Sequence, residues 1–157
     1  MNIRTKDNLV VIVAGIGMLL STLDTGIINV ALPFFKSYFE TTADIAAIAV
    51  TGYTISLAVF ILPFGLLSDK FGKLSFSYIG LIIFGLSSLL CGLSANVQML
   101  IMFRIFQGIG AAALQATSAS LITTLVSAEK SSSAIGVLGI MIGVGPVLGP
   151  SLGGLLL

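Results

Sequence analysis

The sequence predicts an all-α membrane protein of five transmembrane helices, because it holds five long apolar stretches and very little charge within them. Of 157 residues, 57% are apolar and only 8% charged, whereas a soluble domain carries roughly 25% charged residues. That is too little charge to cover a surface facing water, and the mean hydropathy of +1.16 agrees. A net charge of +1 gives the chain no field with which to draw nucleic acid. The absence of histidine removes the commonest metal ligand and the group that titrates near neutral pH. No metal is expected, and any proton chemistry falls to carboxylates. The single cysteine, Cys91, has no partner for an intrachain disulfide.

The spans read as residues 9–32, 45–67, 75–95, 97–121 and 133–157, with most charged residues in the interruptions. A helix needs about 20 apolar residues to cross the hydrocarbon, where every backbone group must be bonded internally. The runs are too long for barrel strands and lack their alternation. The first run follows Arg4 and Lys6 and so imitates a secretory signal. Its apolar length exceeds that of such a peptide and no cleavage site is evident, so it is read as a retained helix. Arg4, Lys6, Lys70, Lys73 and Lys130 fall on one side of the membrane, and only Lys36, beside Glu40 and Asp44, on the other. The positive-inside rule then puts the N-terminus, the 68–74 loop and the 127–132 loop in the cytoplasm. The expected setting is a multi-pass protein of the plasma membrane, with bacteria the simpler source and the lipid bilayer as first partner.

Two ionisable residues lie inside spans: Asp24 in the first and Arg104 in the fourth. Each costs about 2.5–3.5 kcal/mol at a helix centre unless it faces protein or water. At about 1.5 Å per residue, Asp24 lies roughly 22 Å from the cytoplasmic end of its helix and Arg104 roughly 10 Å from the outer end of its own. In a core of about 30 Å they share a level. One reading makes them a buried ion pair, or groups reaching for the outer interface, that merely fix helix positions. The other makes Asp24 a group that binds and releases a proton, burial disfavouring its charged form and Arg104 favouring it. Thr25 and Asn29 share that helix, but Asn29 points about 140° away from Asp24 and is placed outside the site. Gly26 and Pro33 allow a bent outer end.

Between the second and third spans, Gly65, Asp69, Lys70, Gly72 and Lys73 compress a helix end, a turn and a new start. Gly72 supplies the permissive backbone, and Asp69 is suited to accept from exposed amides near the turn or at another helix N-terminus. This spacing resembles the signature loop of the major facilitator superfamily, with lysines for the more usual arginines and Leu74 where a second basic residue is common. In the fourth span, Arg104, Gln107, Gly108 and Gly110 look like the superfamily's arginine-bearing motif, which is associated with proton transfer. In the fifth, Gly145, Pro146, Gly149, Pro150, Gly153 and Gly154 resemble the motif of drug-exporting antiporters. The string around Asp24 is similar to one typical of the fourteen-helix drug:proton antiporters. From the residues alone, Gly145, Gly149 and Gly153 lie along one face where another helix can approach closely, and the two prolines each remove a backbone donor.

The resemblance implies the N-terminal part, helices one to five, of a superfamily bundle, with residues 1–157 as a partial transporter half. It implies proton-coupled efflux of small apolar or cationic molecules by alternating access, driven by a proton gradient without another cofactor. Nothing resembles a phosphate-cradling loop, so ATP drive has no local support. Such transporters have twelve or fourteen helices in six-helix halves that share the substrate site. Five helices therefore imply a fragment, a truncated product, or copies that assemble. The competing expectation is a non-transporting module that binds other transporter helices through the glycine face of helix five. Uptake by a related carrier is disfavoured by the helix-five motif.

Overall fold

A computed structural model describes residues 3–156 and contains five helices: α1 (Ile3–Tyr38), α2 (Ala43–Phe71), α3 (Lys73–Gly92), α4 (Val97–Leu125) and α5 (Ala128–Leu156). Each holds a stretch long and apolar enough to cross a membrane. Local chemistry sets several ends. Thr42 Oγ1 accepts from the Ile45 amide at 3.4 Å to start α2, and Asn96 Oδ1 accepts from the Met99 amide at 2.9 Å to start α4. Gly72 lies between α2 and α3 at φ +103°, a backbone state that side chains disfavour.

The helices outrun the apolar spans. The supposed 68–74 loop is helical except for Gly72, and the supposed 127–132 loop shrinks to Val126 and Ser127. Apolarity marks where hydrocarbon lies, whereas helix continues into the interface for as long as its backbone bonds are satisfied. Asp69 and Lys70 therefore sit on the last turn of α2, and Glu129 and Lys130 on the first turn of α5. The backbone of α1 is helical through Arg4 and Lys6, whose side chains lie outside the described residues. At 36 residues, α1 spans about 54 Å and protrudes beyond a core of about 30 Å. It also runs unbroken through Gly26 and Pro33.

Helix α4 forms the centre of the bundle. More than half of its apolar stretch is buried, against a third or less for each other helix. It packs against α2, α3 and α1, while α5 packs chiefly on α1. Small residues make these crossings possible. A Cβ added at Gly26 would sit 2.9 Å from Gly149 Cα and 3.1 Å from the Gly145 carbonyl. Gly153 faces Ile27, Gly108 faces the Tyr53 carbonyl and Ser56, and Gly110 faces Gly80 and Phe84. The glycine face of α5, expected to receive another transporter helix, is thus occupied by α1 of the same chain. Pro146, Pro150 and Gly154 are exposed, and α5 is continuous through both prolines.

At the end where α1 begins, polar contacts tie the helix corners together. Asp7 is buried and its Oδ2 accepts from Ser127 Oγ at 2.9 Å, with Lys130 Nζ at 3.9 Å. Lys73 Nζ lies 3.1 Å from Asp69 Oδ1 and donates to Thr124 Oγ1 at 2.7 Å. Asp69 thus meets a lysine side chain where a helix amide was expected. At the opposite end Phe34, Phe35, Tyr38 and Phe39 form a run of stacked and edge-on rings suited to a membrane interface. Large side chains such as Leu62, Leu66 and Leu155 point outward, away from the bundle.

Because α1 and α5 meet backbone to backbone, Gly149→Val should cost about 1–3 kcal/mol through overpacking. Gly154→Val, in open space among the described residues, should stay within about 0.5 kcal/mol of the parent. Thermal unfolding of the two variants in detergent checks the difference, and equal melting temperatures would contradict this seam.

Candidate functional site

The site begins with charge inside a bundle. Asp24 sits on the face of α1 that turns toward α4, while Thr22 and Gly26 turn toward α5. Asn96 fixes where α4 starts, and Gly108 and Gly110 bring α2 and α3 close against it. Arg104 and Gln107 lie three residues apart and so share a face. Arg104 Nη1 donates to Asp24 Oδ2 at 2.6 Å, and Gln107 Nε2 donates to Asp24 Oδ1 at 3.0 Å. The Asp24 and Arg104 side chains are 16% and 8% exposed, and Gln107 is fully buried. Both carboxylate oxygens are thereby engaged by donors, which suits the ionised acid. The ion pair is end-on, through one guanidinium nitrogen. Arg104 Nε is buried with no hydrogen-bond partner among the described residues.

The structure thus brings together two of the residues singled out from depth alone, and joins Gln107 to them. A second layer of polar groups surrounds them. Gln107 Oε1 accepts from Cys91 Sγ of α3 at 3.8 Å. One turn from Asp24, Ser21 Oγ lies 3.0 Å from Tyr53 Oη of α2 and accepts from Gln115 Nε2 of α4 at 2.9 Å. Thr25 Oγ1 donates to the Ser21 carbonyl at 3.0 Å. Ser21, Tyr53, Gln115 and Cys91 were not singled out from sequence. Ser21 precedes Asp24 by three residues, and Gln115 follows Arg104 by eleven, about three turns, so a helical count of polar positions finds both. Tyr53 and Cys91 need the packing of α2 and α3 on α4, which no single-helix pattern carries.

Other marked residues lie elsewhere. Asn29 is exposed and its amide donates to the Thr25 carbonyl of its own helix at 2.9 Å. Gly65 faces open space, and Lys70 lies 5.5 Å from the Phe71 ring centre. Gly108 and Gly110 serve helix crossings, and Gly145, Gly149 and Gly153 serve the seam with α1. Pro146, Pro150 and Gly154 take no part in the polar cluster. Chemically, the cluster holds one carboxylate that can bind a proton and one guanidinium that stays charged under all ordinary conditions. Protonating Asp24 removes the charge that Arg104 faces and adds a donor where an acceptor stood.

Comparison with known proteins places this geometry in a family. The model of the Major Facilitator Superfamily matches residues 14–157. The chain is similar to the riboflavin transporter RibZ of Clostridioides difficile, 36% identical over 95% of this chain and 33% of that protein. It is also similar to the multidrug resistance protein Stp of Mycobacterium tuberculosis, 36% identical over 94% of this chain and 28% of that protein. The probable multidrug resistance protein EmrY of Escherichia coli is 32% identical over 92% of this chain and 28% of its own. In fold, the chain matches a bacterial homologue of the human lysosomal transporter Spinster, crystallised inward-facing and unoccupied. The TM-score is 0.83 at 22% identity, over 95% of this chain and 31% of that one. The chain therefore spans about a third of the length of the relatives it matches. With the family model covering nearly its whole length and five helices arranged as in a solved transporter, this chain belongs to the Major Facilitator Superfamily and forms the N-terminal part of such a bundle.

Proposed function

We propose that the chain supplies the proton-binding half-site of a proton-coupled exporter of small apolar or cationic molecules. The observation that carries this reading is the Asp24 carboxylate, inside a membrane bundle and met, among the described residues, by two donors, Arg104 Nη1 and Gln107 Nε2. An acid so placed can take up a proton when its surroundings open to water and lose it when they open to the other side. While ionised it holds α1 to α4 through the ion pair. Once protonated it releases that electrostatic hold, so proton binding and helix packing become linked.

Efflux is supported by the likeness to Stp and EmrY, both named for multidrug resistance. The likeness to RibZ supports a wider range of organic substrates. An acid in the cavity suits cationic substrates, which would compete with the proton for the same charge. The lysines at the α1-start end, Lys70, Lys73 and Lys130, support a cytoplasmic N-terminus. Antiport follows if proton entry from outside and substrate exit require the same site in turn. The remaining helices of the transporter would close the cavity and add the second half of the substrate site.

Asp24→Asn in the complete open reading frame should lower efflux driven by a pH gradient by roughly tenfold or more while leaving substrate exchange without a gradient measurable. Vesicle transport of a fluorescent cation reads both, and undiminished gradient-driven efflux in Asp24→Asn would sink the proposal. Arg104→Leu should destabilise the bundle by about 3–5 kcal/mol, since it strands a buried carboxylate, and adding Asp24→Asn should recover much of that loss. This neutral double variant separates the two readings of the pair. A purely structural pair predicts that proton coupling survives in it, whereas the present reading predicts that coupling is gone although the fold is restored.

A further inference from the structure

We infer that Gln107 is a positioning residue whose amide turns over when Asp24 takes up a proton, carrying the change of state to α3 through Cys91. The inference follows from counting donors and acceptors. In the structure Asp24 offers two acceptor oxygens to two donors, Arg104 Nη1 and Gln107 Nε2. The far end of the same amide, Oε1, accepts from the Cys91 thiol. Gln107 is fully buried, so water does not substitute for either partner.

A protonated Asp24 changes the count. It keeps one good acceptor, the carbonyl oxygen, and gains one O–H donor. Two donors now face one acceptor. Arg104 is always charged and keeps the carbonyl oxygen, because a charge-assisted bond is roughly twice as strong as a neutral one. The new O–H faces Gln107, whose Nε2 cannot accept. Rotation of the amide by half a turn presents Oε1 to the acid and sends Nε2 to the Cys91 sulfur, a weak acceptor. The thiol thereby loses its acceptor, and α3 registers the proton on α1.

The route has few alternatives. Helices α1 and α3 scarcely touch, whereas Gln107 reaches both from α4. The other groups near Asp24 are accounted for. Arg104 faces it from α4, Tyr53 of α2 reaches this part of α1 through Ser21, and α5 presents Gly145, Pro146 and Gly149 along this stretch. Gln115 of α4 bonds Ser21 rather than Asp24, so of the described side chains bonded to Asp24 Gln107 alone combines a donor and an acceptor in one rigid plane, which a switch between the two states requires. The inference rests on the proposed role of Asp24 only in taking it as the group that titrates.

Infrared difference spectroscopy of the full protein in lipid tests it, with the S–H stretching band assigned by its loss in Cys91→Ser. On acidification a carboxyl band that is missing in Asp24→Asn should appear, and the Cys91 S–H band should shift with the same midpoint. Asparagine imitates the neutral acid, one carbonyl and one donor, so Asp24→Asn should hold the S–H band at its acid position at every pH. In Gln107→Leu the carboxyl band should still appear while the S–H band stays still. An S–H band that stays fixed while wild-type Asp24 protonates, or that still shifts in Gln107→Leu, overturns the inference. Should Gln107→Leu not fold, the wild-type and Asp24→Asn titrations decide the matter by themselves. Transport measurements keep the two ideas apart: proton-coupled efflux with a stationary thiol band rejects the switch alone, and a moving band without coupled efflux rejects the transport role alone.

Discussion

A carboxylate inside hydrocarbon must be met by donors, and among the described residues both donors to Asp24 come from one helix, α4. That demand fixes the rotation of α4 about its axis, because Arg104 and Gln107 must both face α1. Once the rotation is set, the two flanks of that face of α4 present Gly108 to α2 and Gly110 to α3. Small residues there let the neighbouring backbones approach until dispersion forces hold them. The polar contact thus specifies an arrangement, while close packing of small residues supplies most of the attraction. Removing either alone leaves the other without its purpose.

The level shared by Asp24 and Arg104 was legible in the sequence because rise per residue is a constant of the helix and the bilayer supplies a common ruler. Gln107 was legible through its place in a motif. Ser21 and Gln115 could be reached by counting turns from Asp24 and Arg104, but Tyr53 and Cys91 could not, since their roles depend on which way each helix turns, a property of pairs of helices. Asp7 was missed for a different reason. It lies before the first apolar span, where charge is expected in water, yet it is buried against Ser127 and Lys130 at the start of α5. The helices run on past the apolar spans, because hydropathy reports the depth of lipid and says nothing of where backbone bonding stops.

The two sides of α5 show how one motif divides its labour. Gly145, Gly149 and Gly153 meet α1, and the absence of side chains there lets the two backbones nearly touch. Pro146, Pro150 and Gly154 lie on exposed ground. Each proline deprives the carbonyl four residues earlier of its usual donor, so Ile142 and Pro146 keep polar oxygens with unused capacity along the helix. A single run of glycine and proline thus gives α5 one tightly fitted side and one whose backbone is unusually open to neighbours.

Gly72 is the sole residue separating α2 from α3, and its left-handed backbone folds one helix back on the other. Two long rods joined by so short a link cannot drift apart at that end. They can only open and close like scissor blades about a pin. Lys73, beside the pin, is fastened to Thr124 of α4, so the pin itself is anchored to the centre of the bundle. Any change in tilt of α2 or α3 is therefore smallest near Gly72 and grows along their length, reaching its greatest sweep at the distant ends near Ala43 and Gly92.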